Sequence, residues 1–256
     1  MMLISPEKKR FELLEGIKAQ MPIEIVKFNL PKKFGFMIVD AINGFCTVGC
    51  GPLAPPAPDE VIEGMVREIK WFARICVENE KPIIFFMDAH EPGVPEPPYP
   101  PHCEKGSGQE LIVPELLWLE QRTDLVTFVP KDSINGFVGS FTKSDTGLDG
   151  WFNTALEWIN DNEIECIVAG GICTDICDME IANTFLSARN HGMTPTVKEI
   201  VAYTPACATY DLPIEVAVSL GLPKTAAHPR DITDYIGLYF MASRGAILAN
   251  ELILPN

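Results

Sequence analysis

The stretch IECIVAGGICTDIC, residues 164–177, decides the fold class. It reads as an apolar strand, a glycine turn and the start of a helix, which lifts Cys177 to the mouth of an α/β sheet. Unpaired N–H groups at a helix start favour negative charge, so a thiol held there is expected to ionise readily. Outward from this stretch the same theme repeats. FGFMIVD at 34–40 is a continuous apolar run closed by Asp40, residues 82–87 lead to Asp88, and residues 126–130 lead to Lys131. Residues 199–203 read as a further strand and 246–249 as a last short one. Uninterrupted apolar runs of this length fit strands buried on both faces.

Helical periodicity fills the intervals. Asp59 caps a helix whose inward positions are Ile62, Met65, Val66, Ile69, Phe72, Ala73 and Cys76. Helices are also expected over 6–21 (Phe11, Leu14, Ile17 and Met21 on one side), 147–160 (Leu148, Phe152, Ala155, Leu156 and Ile159 inward), 175–190 and 229–243. Proline- and glycine-rich segments at 49–58 and 91–101 read as loops. Alternating strands and helices predict a three-layer, Rossmann-like α/β fold, with a mostly parallel six-stranded sheet covered by helices on both faces. Residues 1–33 are read as an N-terminal helical extension and 34–256 as a single domain.

The 256 residues carry a formal charge of −15, with 47% hydrophobic and 21% charged residues. That balance argues against a nucleic-acid partner, because phosphates need a basic surface. No apolar run reaches the length of a membrane span, and the N-terminal charge follows the apolar piece, the reverse of a signal peptide. Eight cysteines in such a chain are expected as reduced thiols in the cytoplasm. The pairs Cys46/Cys50 and Cys173/Cys177 have neither redox C-x-x-C spacing nor a nearby histidine in sequence.

In parallel sheets, ligands bind beyond the carboxyl ends of the strands. Asp40, Asp88, Lys131 and Cys177 all fall there. Cys177 is read as a nucleophile, Asp40 as the base that takes its proton, and Lys131 as the cation that steadies both negative charges. The N–H groups of Cys173 and Cys177 are candidates for an oxyanion hole. Asp88, His90, Glu96 and His102 form a second cluster. The D-x-H spacing puts two ligands on one side of an extended segment, and the mixed N/O set suits zinc, iron or manganese. Phe45 and Tyr99 are candidates to clamp a flat ring. Asp175 is expected to order the nucleophile turn, His191 and His228 to be structural, and Asp178 and Glu180 to disfavour a thiolate at Cys177.

The segments VDAINGF (from Val39), DAH (Asp88), PPHCEKG (Pro100), KDSINGF (Lys131) and GICTDIC (Gly171) resemble the isochorismatase-like cysteine hydrolases. Within that family the plant-type nicotinamidases are most similar, through GFCTVG, PEPPYPPH, LSARNHG, ACATYDL and IGLYFMASRGA. The likeness runs from about residue 35 to the C-terminus. It implies an isochorismatase-like fold, a Asp40–Lys131–Cys177 triad, a cis peptide at Ile172–Cys173, and Asp88, His90 and His102 as ligands of a divalent metal, with Glu96 placed as the fourth. It also implies cleavage of nicotinamide to nicotinate and ammonia through a cysteine thioester, in NAD salvage, and a homo-oligomeric state. Two positions depart from the family pattern: Tyr99 stands where tryptophan is frequent, and Asp178 where an apolar residue is usual. Two alternatives stay open. One is a related hydrolase of another small amide or ureido compound; the other is a catalytically weak paralogue that binds.

Overall fold

The computed structural model describes residues 6–143 and 150–255. The strands are β1 (Ile25–Asn29), β2 (Phe34–Val39), β3 (Ile83–Asp88), β4 (Val126–Lys131), β5 (Phe141–Lys143), β6 (Trp151–Asn153), β7 (Cys166–Ile172), β8 (Glu199–Ala208) and β9 (Ile247–Ile253). The helices are α1 (Pro6–Gln20), α2 (Asn43–Cys46), α3 (Glu60–Glu78), α4 (Gly136–Gly139), α5 (Thr154–Asp161), α6 (Met179–His191), α7 (Ile214–Ser219) and α8 (Arg230–Ser243).

Seven strands form one sheet in the order β1-β9-β8-β7-β2-β3-β4, and every neighbouring pair is parallel. β2 and β7 are buried at every position, as expected of strands covered on both faces. One face packs on α3, whose inward residues are the seven read from periodicity. Asp59 caps α3 by accepting from the N–H groups of Val61 and Ile62. The opposite face packs on α5, α6 and α8.

The sheet has seven strands rather than the expected six. The addition is β1, an edge strand that pairs with β9 and lies inside the segment read as a helical extension. Its short, alternately exposed sequence IVKFN carries no long apolar run, so only its pairing reveals it. Phe11, expected inward on α1, is exposed. The helix expected over 147–160 begins at Thr154, after Asn153 caps it. Phe152 instead belongs to the β5–β6 hairpin and is exposed, and Leu148 lies outside the described residues.

The sheet turns back on itself between β2 and β7. Chain order runs β2, β3, β4 to one side and β7, β8, β9 to the other. Such a switch point opens a crevice at the strand ends. Asp40 and Cys177 flank it.

Candidate active site

Asp40 follows β2 with φ 53°, a left-handed conformation that aspartate tolerates better than most residues. Its N–H donates to the Phe86 carbonyl, while its Oδ1 accepts from the Asp88 N–H at 2.8 Å. The register of β3 against β4 sets Asp88 beside Lys131. The Lys131 Nζ is 3.0 Å from Asp40 Oδ2, 2.9 Å from Asp88 Oδ1 and 3.7 Å from Cys177 Sγ. Three strand ends and the turn after β7 thus converge on one ammonium group. Lys131 is 1% exposed and Asp40 0%. Buried ions at this depth persist only when paired, and here one cation serves two carboxylates.

The electrostatics follow from that burial. Desolvation pushes the Asp40 carboxyl up to about 6, against the pull of Lys131. Desolvation pulls the Lys131 ammonium down, but the fields of the Asp40 and Asp88 carboxylates win and hold it well above its ordinary value. Burial drives the Cys177 thiol well above its ordinary value, and Lys131 offsets this only in part. The expectation of a readily formed thiolate is therefore corrected. Cys177 sits in a π-helical turn, Thr174–Asp178, ahead of α6, where burial works against its ionisation. A base beside the sulfur counters that cost.

The second cluster is assembled too. Ligand atoms of Asp88, His90, Glu96 and His102 lie within 4.8 Å of one another. Asp88 Oδ2 is 3.0 Å from His90 Nε2 and 3.1 Å from His102 Nε2. Glu96 Oε2 is 3.5 Å and 3.7 Å from the same two nitrogens. The His102 Nδ1–H donates to the Pro100 carbonyl at 2.8 Å, which leaves the Nε2 lone pair facing the cluster. Glu96 is oriented by the Ile134 N–H, which donates to its Oε1 at 2.9 Å. Two imidazoles and two carboxylates, spaced as ligands with bonds of about 2 Å would be, fit a divalent transition metal. Asp88 belongs to both clusters, a link that sequence spacing could not show.

A pocket between the clusters is lined by Phe45, Leu53, Tyr99, Ile134, Cys173 and Tyr210 around Cys177. Its walls close tightly over Cys177, leaving a cavity of only about 20 Å³, so a ring would enter only as the lining side chains part. The rings of Phe45 and Tyr99 lie 5.8 Å and 6.0 Å from that of His102. The Ile172–Cys173 peptide is cis. Sequence reasoning missed Leu53, Ile134, Ile176 and Tyr210 as pocket residues. Tyr210 sits just past β8, its ring in a T-shaped contact with that of His228 at 4.2 Å; β8 runs to Ala208 rather than ending at 203 as read, and the family-like stretch ACATYDL was the signal for this position. A much larger and more open groove, about 610 Å³ by the same measure, shares Lys131 but runs toward Phe141 and Trp151, away from Cys177.

The family model for the isochorismatase domain matches residues 35–213. Nicotinamidase 1 of Arabidopsis thaliana is 40% identical over 94% of this chain and 96% of its own length. The nicotinamidase of Escherichia coli is 26% identical over 55% of this chain and 70% of its own. The crystal structure of nicotinamidase PncA from Bacillus subtilis superposes with a TM-score of 0.60 at 20% identity, covering 85% of this chain and 99% of that one, a likeness of fold. Family match, long-range identity and the convergence of Asp40, Lys131 and Cys177 lead to one conclusion: the chain belongs to the isochorismatase domain family and is an amidohydrolase of the cysteine–aspartate–lysine type.

Proposed function

We propose that this protein hydrolyses nicotinamide to nicotinate and ammonia in the salvage of pyridine nucleotides. The observation that carries the reading is the small aromatic pocket whose wall holds Cys177 of the triad together with Asp88, Glu96 and His102 of the second cluster. The 40% identity to a nicotinamidase over nearly the whole chain supports the choice of amide.

Asp40 is ionised at neutral pH yet basic enough to take the Cys177 proton. The sulfur then attacks the amide carbonyl. The N–H groups of Cys173 and Cys177 receive the oxyanion, and Lys131 balances the charge that moves between Asp40 and the sulfur. Asp40 returns its proton to the departing ammonia. A water deprotonated by Asp40 then opens the thioester, which releases nicotinate and restores the thiol. Phe45 and Tyr99 hold the ring. The donor set of Asp88, His90, Glu96 and His102 favours zinc, with iron or manganese as the other candidates; held there, the ion would supply a Lewis acid for orienting a ring nitrogen.

The substrate is a small molecule, and neither nucleic acid nor membrane is proposed as a partner. Among the described residues no helix is long and apolar enough to cross a membrane. A reducing, cytoplasmic location is proposed on the strength of eight free thiols. A homo-oligomer is proposed as well, supported by exposed apolar residues on and after α7 (Ile214, Val216, Val218, Leu220); light scattering that returned a monomer mass would dismiss it.

Purified protein is expected to release ammonia from nicotinamide, and Cys177→Ala to abolish it. Turnover of a ureido compound but not nicotinamide would reassign the substrate, and inertness of metal-replete protein toward every small amide would leave a binding role.

A further inference from the structure

Asp178, the residue after the nucleophile, is fully buried, and no ion pair among the described residues includes it. Its Oδ1 has no hydrogen-bond partner. Its Oδ2 lies 3.2 Å from Cys207 Sγ, and that sulfur is 3.4 Å from the Tyr203 carbonyl oxygen. The Asp178 N–H also donates to the Cys173 carbonyl at 3.2 Å, closing the π-helical turn around Cys177. Cys207 pairs in register with Gly171, in the irregular part of the β7–β8 ladder.

The groups facing Asp178 are Cys207 from β8, Asp234 from α8 and Asp40 from the end of β2. Asp175 and Cys177 share its own turn, and Glu180 follows on α6. None is a cation. A carboxylate here would stand among acids and thiols with one oxygen unsolvated, a costly arrangement.

We propose that Asp178 is a positioning residue held as a neutral carboxylic acid, its Oδ2–H donating to Cys207 Sγ and so fastening the turn that carries Cys177 to β8. The Cys207 S–H then donates to the Tyr203 carbonyl, so each proton has an acceptor and only a carbonyl-type oxygen is left bare. Burial pushes this carboxyl up to about 7, which agrees with the geometry. Ionisation would place a charge where none is compensated and loosen the fastening. The inference rests on Cys177 being the nucleophile, but its first test does not.

Infrared difference spectra of wild type against Asp178→Asn are expected to show a protonated carboxyl band that fades as pH rises through about 7. No such band at pH 6 would overturn the proposal, whatever the substrate proves to be. Asp178→Asn keeps an N–H donor to the sulfur. It is expected to lack the decline of kcat, and of Cys177 alkylation rate, that wild type shows above neutral pH. Asp178→Leu loses the donor, and its kcat is expected to fall roughly tenfold with KM little changed, the scale of a slight misplacement of a reacting atom. A leucine variant equal to wild type in both kcat and alkylation at every pH would equally overturn it. Failure to turn over nicotinamide, with the band present and alkylation behaving as described, would count against the substrate and not against Asp178.

Discussion

Lys131 is the residue on which the charges of the site balance. Its ammonium stands within 3.0 Å of two carboxylates, Asp40 and Asp88, that are otherwise buried. Lys131→Met keeps the length of the side chain and removes the cation. Two acids would then share a dry space, so the variant is expected to lose about 3–5 kcal/mol in urea unfolding of the metal-free protein. A loss below that of an ordinary surface substitution would mean that water already screens the site. The strand-end position of each charged residue was legible in sequence because each closes an apolar run. Two things were not. One is that Asp88 faces Lys131, which depends on the β3–β4 register. The other is that Asp178 turns inward to Cys207, which depends on a π-helical turn that no periodicity announces.

At the scale of elements, the nucleophile turn is braced from behind by α8. A Cβ on Gly237 would stand 2.7 Å from the Thr174 carbonyl oxygen and 2.8 Å from the Asp175 Cα, both backbone atoms that cannot swing aside. Alanine is favoured over glycine in a helix by about 1 kcal/mol, yet this contact forces the turn to move. Gly237→Ala is expected to retain its helical circular dichroism while kcat drops by at least about tenfold. Unchanged kcat would show that α8 shifts instead. The elements read correctly from sequence were those with a strong period: the apolar runs of β2 and β7, and α3 with Asp59 as its cap. The failures had weak or misleading periods. β1 is short and half exposed, and the 151–153 stretch, read as helix, pairs instead with β5.

The whole molecule makes the site at the switch point of an open parallel sheet, and the candidate metal-binding cluster lies to one side of it. Asp88 comes from a strand, whereas His90, Glu96 and His102 come from the loop that follows. An ion bound there would tie that loop to the sheet. Elemental analysis is expected to find about one divalent ion per chain, lost in His90→Ala. Chelation is expected to lower the melting temperature as well as activity, since an ion that binds only the folded state stabilises it. Metal-free protein with full activity and unchanged melting would refute this. The sequence by itself determined the alternation of strands and helices, and so the parallel sheet and the edge at which chemistry occurs, because burial on two faces demands unbroken apolar runs. Tertiary structure alone decided which strand ends meet, that Lys131 joins the two clusters, and that burial raises the Cys177 thiol beside the Asp40 carboxylate. Those outcomes depend on register and desolvation, which arise only when distant segments pack together.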